Sequence, residues 1–264
     1  MYTININLQK GNHTGMSKTR KRYIVRLIGR CIVFIICCVL CFFAPQEFAV
    51  LDKGNFFSKI SLLHVLWLIW VADTVQQILP IKNKLPLGSQ KLFANRFKPI
   101  RDKINHEALR SYIQPTTKAA YKVLILWAAL IAGIGVLYFC GVLNKTGLFM
   151  ISAGFYVCDL ICVLIWCPFR LLMRTRCCTT CRIFNWDHVM MFTPMLFVCG
   201  FYAYSLIVLS LVVWVAWELS VVLHPERFWF MSNETLRCEN CTDKLCTQYC
   251  QKLRLGQNEE KKHP

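Results

Sequence analysis

Seven of the sixteen cysteines in this chain fall in two short clusters that lie beside long apolar runs. The first cluster is the run RCCTTC, and the second is RCENCTDKLCTQYC near the C-terminus. Thiolates are the soft ligands that zinc and iron–sulfur centres prefer. The sequence therefore predicts a zinc or iron–sulfur site whose ligands are drawn from Cys177, Cys178, Cys181, Cys238, Cys241, Cys246 and Cys250.

The spacing within the second cluster is typical of a chelating site. Cys238 and Cys241 have the C-x2-C spacing of a zinc knuckle, and Cys246 and Cys250 lie four residues apart. A single helical turn brings residues at that separation to one face, so all four thiolates are able to converge on one centre. The function predicted from this pattern is electron transfer or metal-ion handling by a membrane protein.

Two other interpretations of the same cysteines stay open on the sequence alone. Cys178 and Cys181 form a C-x-x-C pair, which permits thiol–disulfide exchange and indicates a membrane oxidoreductase. If the tail is exported, its cysteines pair as disulfides, because exported compartments are oxidising. The chain is then a non-catalytic membrane subunit whose tail, stapled by zinc or by disulfides, docks to other membrane subunits or to a redox partner.

A second candidate site lies inside the apolar runs. Asp159 falls near the middle of one run, with Cys158 beside it and Cys162 one helical turn later, while His64 and Asp73 fall in another. Ionisable groups in hydrocarbon are costly and usually face a partner or a water-filled path. These five residues therefore predict an intramembrane polar site, a soft-metal or proton site around Asp159 that lies on an ion path, with hydrogen bonding between helices as the alternative.

The elements that must position these residues are helices. The chain has 264 residues, 56% of them hydrophobic, with a mean hydropathy of +0.42. The apolar residues come in continuous runs near the length of about twenty that a membrane-spanning helix needs. The runs are residues 23–43, 59–79, 120–142, 147–171 and a last stretch inside 189–223. The predicted fold is an all-α, polytopic helical membrane protein with about five transmembrane helices and a short cysteine-rich C-terminal tail.

The net charge of +17 is distributed unevenly along the chain. Lys and Arg concentrate in residues 1–22, 80–122 and 170–188, whereas the loops 44–58 and 143–146 hold only Lys53 and Lys145. This is the positive-inside asymmetry of a plasma (inner) membrane protein with a cytoplasmic N-terminus. We therefore expect the lipid bilayer and its anionic headgroups as partners of the basic segments, and no nucleic acid.

The chain divides into seven segments on these criteria. They are a disordered basic N-terminus (1–22), a transmembrane hairpin (23–79), a basic cytoplasmic loop with an interfacial segment (80–119), a second hairpin (120–171), a Cys/Arg cytoplasmic segment (172–188), a last membrane segment (189–223) and a cysteine-rich tail (224–264). The last membrane segment is too long for one upright span, and Pro194 and Gly200 indicate a short embedded lead-in before a span near Phe201–Leu223. Five spans place the tail opposite the N-terminus, whereas one site shared by both cysteine clusters requires an even number.

Overall fold

The computed structural model describes residues 17–58, 60–79, 97–100, 105–173, 181–237 and Leu245. Every regular element in these ranges is helical, apart from one isolated antiparallel bridge between Pro99 and Asn233. This confirms the all-α class. The helices are α1 (Lys18–Phe43), α2 (Asn55–Ser58), α3 (Leu63–Ile78), α4 (His106–Phe139), α5 (Lys145–Leu164), α6 (Phe169–Met173), α7 (Asp187–Phe192) and α8 (Phe201–Leu223).

Four of the described helices, α1, α4, α5 and α8, are long and apolar enough to cross a membrane. The outer surface of the bundle carries exposed apolar side chains such as Val25, Ile125 and Val212. A soluble protein rarely leaves so much apolar surface uncovered, whereas lipid covers it readily. The predicted membrane class therefore fits the structure, with four such helices in the described ranges instead of about five.

The difference in number arises at the second predicted run, 59–79. It forms α3, which has 16 residues and is shorter than the roughly 20 that span a bilayer. The chain just before α3 is held in a turn by the Glu47 carboxylate. That carboxylate accepts hydrogen bonds from the Ser61 hydroxyl at 2.7 Å and from the Leu62 backbone N–H at 3.0 Å. A count of apolar residues does not show this turn.

Two helices begin earlier than the sequence predicted. α1 begins at Lys18, within the segment predicted to be disordered, because Ser17 caps it by accepting a hydrogen bond from the Arg20 N–H at 3.1 Å. α4 begins at His106 within the predicted loop 80–119, and it continues through Pro115. A proline costs a helix about 3 kcal/mol, and tertiary contacts on both sides of the proline offset this cost.

α1 and α5 pack side by side in opposite directions. Tyr23, near the start of α1, shares a cluster with Leu160 and Leu164 at the end of α5. Farther along α1, Phe34 approaches Gly154, which lies earlier in α5. We call the end of the bundle where α1 begins the proximal end and the opposite end the distal end.

Residues 182–200, here the broken segment, pass from the proximal to the distal end. At the proximal end Arg182 pairs with Glu218 near the end of α8, with 2.7 Å between Nη2 and Oε2. At the distal end a Cβ on Gly200 would lie 2.5 Å from the carbonyl oxygen of Leu51. Between these points the segment forms the 3-10 turn Phe184–Trp186, the short helix α7 and the 3-10 turn Thr193–Phe197. α8 then returns to the proximal end.

The described chain therefore passes six times along the bundle, in α1, α3, α4, α5, the broken segment and α8. The predicted span Phe201–Leu223 has the bounds of α8. The lead-in before α8 therefore traverses the bundle instead of only entering it. Residues after α8 start at the end where α1 starts.

The core of the bundle is aromatic. Trp70 of α3 is fully enclosed, and its ring lies 5.3 Å from that of Phe192 and 5.4 Å from that of Phe149. Tyr156 and Tyr202 complete the group at 5.8 and 6.4 Å. Such contacts fix α3, α5, α7 and α8 against one another, so polar groups placed beside them have defined positions.

Candidate functional site

Arg30 of α1 lies inside the bundle between two carboxylates. Its Nη1 is 2.7 Å from Oδ2 of Asp159, and its Nη2 is 3.7 Å from Oδ2 of Asp73. The guanidinium also donates to the Tyr156 carbonyl at 2.7 Å and stacks over the Tyr156 ring, with 3.9 Å from Cζ to the ring centre. The Tyr156 hydroxyl in turn donates to Asp73 at 2.7 Å. Arg30 therefore links α1 to α3 and α5 through its ion pairs with Asp73 and Asp159.

A second polar group adjoins the first and comes from α3 and α7. The Gln77 amide nitrogen is 2.9 Å from each carboxylate oxygen of Asp187 and 2.7 Å from Nδ1 of His188. An amide nitrogen only donates, so the carboxylate fixes the orientation of the amide. Nδ1 of His188 also lies 3.1 Å from Oδ1 of Asp187, so the imidazole is held against this carboxylate.

The two groups meet at a cavity of about 20 Å³. We call the seven residues that form these groups the buried polar cluster: Arg30, Asp73, Gln77, Tyr156, Asp159, Asp187 and His188. His188 and Gln77 line the cavity, and each is at least 95% buried. Nε2 of His188 and Oε1 of Gln77 have no hydrogen-bond partner among the described residues. Two buried polar atoms therefore lie unpaired at the place where the two groups meet.

A larger cavity of about 240 Å³ shares Asp159 and Asp187 with the small one. Its wall is mostly apolar and aromatic, and four thiols also line it: Cys158, Cys162, Cys167 and Cys181. The thiols of Cys162 and Cys167 are hydrogen-bonded to each other where α5 ends. The cavity therefore connects the buried carboxylates to a cysteine-lined region at the proximal end.

The structure brings together four of the five residues predicted for the intramembrane site. Asp73 and Asp159 share Arg30, and Cys158 and Cys162 line the larger cavity beside Asp159. His64 lies apart, nine residues or about 13 Å along α3 from Asp73. Its Nε2 is 2.8 Å from the Phe56 carbonyl oxygen, so it ties down the distal loop.

Sequence reasoning missed Arg30, Gln77, Asp187 and His188. Arg30 looked like a residue whose long stem reaches the membrane surface, and Asp187 and His188 fell in a segment assigned to the cytoplasm. Arg30 lies twelve residues into the 26-residue α1, a depth that indicates a buried partner. No protein-family model, curated protein or solved structure matches this chain.

Most of the predicted metal ligands lie outside the described residues, namely Cys177, Cys178, Cys238, Cys241, Cys246 and Cys250. Cys181 is described and is 7% exposed. In the part of the chain that the structure describes, no three His, Cys, Asp or Glu side chains are arranged to hold a metal. The metal site therefore stays a prediction from the cysteine spacing.

The described residues that flank the two cysteine clusters pack at the same end of the bundle. Cys181 belongs to one apolar cluster with Leu236, which precedes the tail cysteines. Leu245, which lies between Cys241 and Cys246 in the sequence, is 4% exposed and packs in a cluster with Tyr23 of α1. Phe184 packs against both clusters. Cys181, Leu236 and Leu245 therefore all lie at the proximal end of the bundle.

The tail is also tied to the loop that precedes α4. The Ile100 N–H donates to the Ser232 carbonyl at 3.1 Å, and the Glu234 N–H donates to the Lys98 carbonyl at 3.0 Å. Tyr112 of α4 packs its ring against Trp229 at 6.4 Å. The proximal end is thus a folded layer in which the loop, the start of α4 and the tail contact one another.

Proposed function

We propose that this chain is an integral membrane protein that binds a metal centre through both cysteine clusters, in the service of electron transfer or metal-ion handling. The observation that carries the proposal is the packing of Cys181, Leu236 and Leu245 at one end of the bundle. A shared centre needs thiolates within about 2.3 Å of one zinc, or around one iron–sulfur cluster, and clusters at opposite ends of the bundle would forbid it.

The reach of the chain supports a shared centre. Cys238 follows Leu236 by two residues, and Cys246 follows Leu245 directly. Two residues of extended chain span at most about 7 Å. One cysteine of each tail pair is therefore separated from a buried, described residue by no more than about 7 Å of chain. A centre between the clusters would join the tail to the broken segment.

The proposed location is the plasma (inner) membrane, with the proximal end in the cytoplasm. The support is the concentration of Lys and Arg in segments that begin or end at the proximal end, against Lys53 and Lys145 in the distal loops. Anionic headgroups would then contact the basic loop and α1. A reducing cytoplasm keeps thiols available as ligands and disfavours disulfides in the tail.

A second candidate function, thiol–disulfide exchange, is favoured by one observation. Cys162 and Cys167 are already hydrogen-bonded and line the same cavity as Cys181. Cys181 is also the second cysteine of the C-x-x-C pair with Cys178. Thiols that converge on one cavity are suited to exchange a disulfide among themselves when an oxidant enters.

Metal analysis of the purified protein tests the leading proposal. We expect a stoichiometric metal, with a brown colour if it is an iron–sulfur cluster and none if it is zinc. Cys181→Ser should lower the metal content, whereas Cys140→Ser, an exposed cysteine at the distal end, should not. Size-exclusion chromatography of both variants controls for folding.

Thiol labelling of sealed vesicles can give a result that contradicts the shared metal site. Tail cysteines that react with an impermeant reagent only after reduction would be exported disulfides, and the shared metal site would be wrong. Metal-free protein in which Cys178 and Cys181 cycle with a thiol or quinone would instead support the exchange function. Stoichiometric zinc without electron transfer or metal flux would identify the tail as a docking element.

A further inference from the structure

The buried polar cluster has more negative than positive charge. Asp73, Asp159 and Asp187 supply three carboxylates, and Arg30 supplies one guanidinium. Nδ1 of His188 lies 3.1 Å from Oδ1 of Asp187, so this imidazole faces Asp187. Asp73 and Asp159 share the one guanidinium of Arg30, and one negative charge of this pair therefore has no ion-pair partner within the cluster.

The surroundings do not compensate this excess with water. The side chains of Arg30 and Asp159 are 10% and 16% exposed, and Asp73 is 27% exposed. An unpaired carboxylate in such a place is costly, and like charges close together raise that cost. Arg26 lines the small cavity but forms no ion pair with these carboxylates in the described residues. The cheapest way to balance the charge is to bind a positive ion.

The size of the small cavity limits which positive ion can bind there. About 20 Å³ is room for a single water molecule and not for a hydrated metal ion. A water molecule there would hydrogen-bond to Nε2 of His188 and to Oε1 of Gln77, the two unpaired buried atoms. It would also connect the carboxylates of α3 and α5 with that of the broken segment.

We propose that the buried polar cluster is a proton-binding site, in which a carboxyl of the Asp73–Asp159 pair takes up a proton through a water molecule in the small cavity. Asp187 stays ionised, because the Gln77 amide and the His188 backbone N–H donate to it. The bound proton forms an O–H bond on a carboxylate, and no oxidant or reductant is required. The site is independent of the cysteine clusters.

The larger cavity supplies the route by which the proton arrives. It reaches from Asp159 and Asp187 to Cys167 and Arg170, which follow the end of α5 at the proximal end. The proton exchanges with the proximal side only, because Trp70 and its aromatic neighbours close the core toward the distal end. The titratable and charged groups that face the cluster or the two cavities are Tyr23, Arg26, Arg30, Asp73, Tyr156, Cys158, Asp159, Cys162, Cys167, Arg170, Cys181, Asp187 and His188.

Infrared spectroscopy of the purified protein in lipid nanodiscs tests the proposal. Ordinary carboxyls ionise near pH 4, so a carbonyl-stretch band of a protonated carboxyl at pH 7 reports an unusual site. We expect about one such carboxyl per molecule in the unaltered protein. Asp159→Asn or Asp73→Asn should abolish the band, and Asp52→Asn, an exposed carboxylate at the distal end, should leave it unchanged.

Three outcomes would overturn the proposal. The first is the absence of the band at pH 7, because all carboxyls would then be ionised. The second is a band that survives in both Asn variants, because it would belong elsewhere. The third is a band that disappears when choline chloride is replaced by sodium chloride, because an alkali cation would then occupy the site. If the Asn variants do not fold, Tyr156→Phe removes only the hydroxyl that donates to Asp73, and a proton-binding cluster predicts a shifted band.

Discussion

Replacing Arg30 with methionine tests the charge balance of the buried polar cluster through stability. Methionine keeps an unbranched stem of similar reach but removes the guanidinium that lies 2.7 Å from Asp159 and 3.7 Å from Asp73. Removing one partner of a fully buried ion pair costs about 3–5 kcal/mol, because the other charge stays behind. Asp73 is 27% exposed, so we expect the lower end of this range, about 3 kcal/mol.

The loss should appear as a lower unfolding temperature in detergent, by roughly 6–12 °C at 2–4 °C per kcal/mol. Intrinsic tryptophan fluorescence follows the transition, and size-exclusion chromatography checks the folded state. Arg26→Met is the matched control, since Arg26 lies one turn earlier in α1 and forms no ion pair in the described residues. We expect that variant to stay within about 1 kcal/mol of the unaltered protein.

Two further measurements distinguish charge from packing. The deficit of Arg30→Met should shrink as the pH falls, because protonation of Asp159 removes charge that the arginine balanced. Adding Asp159→Asn to Arg30→Met should restore part of the lost stability for the same reason. An Arg30→Met protein within 1 kcal/mol of the unaltered one would refute the reasoning, as would a deficit that does not depend on pH.

Two other predictions concern the distal end. Gly200→Ala should destabilise the protein by about 1–3 kcal/mol, because the new Cβ would overlap the Leu51 carbonyl oxygen. Gly29→Ala, on an open face of α1, should be neutral or stabilising by up to about 1 kcal/mol, and thermal unfolding of both variants compares them. The hydrogen bond from the Ser61 hydroxyl lowers the pKa of Glu47, so its contribution to stability is complete above the usual glutamate pKa and is lost as the pH falls through the lowered value. The unfolding temperature of Glu47→Gln should therefore change less between neutral and acid pH than that of the unaltered protein, and an equal change in both would contradict the assignment.

The parts of the fold that could be predicted were the helices whose own sequence is a continuous apolar run. Continuous apolar runs identified α1, α4, α5 and α8, and the bounds of α8 were correct to the residue. The path of the broken segment along the bundle was not predicted. Its polar residues and Pro194 resemble a loop, and its path depends on contacts with other helices. The capped starts of α1 and α4 were missed, since a side-chain cap needs only one residue and leaves no hydrophobic signal.

The candidate site was predictable only in part, for a related reason. A buried carboxylate is visible in one sequence because it interrupts an apolar run, and Asp159 and Asp73 were found in this way. Their partner Arg30 lies 129 residues before Asp159 in the chain, and no local pattern connects residues so far apart. The predicted metal ligands other than Cys181 lie outside the described residues, so that prediction is untested.

The broken segment also constrains how the chain enters a bilayer during synthesis. A membrane-insertion apparatus admits helices one at a time when they are apolar, and an aspartate at the centre of a helix costs about 2.5–3.5 kcal/mol. This segment contains Asp187 and Pro194, and its 3-10 turn leaves backbone groups that lipid does not satisfy. It would therefore wait at the membrane surface until α8 emerges from the ribosome, and the two would insert together against helices already in place. The order of synthesis then matters, because the polar residues of the broken segment would enter the bilayer only after Arg30 and Gln77 have been inserted.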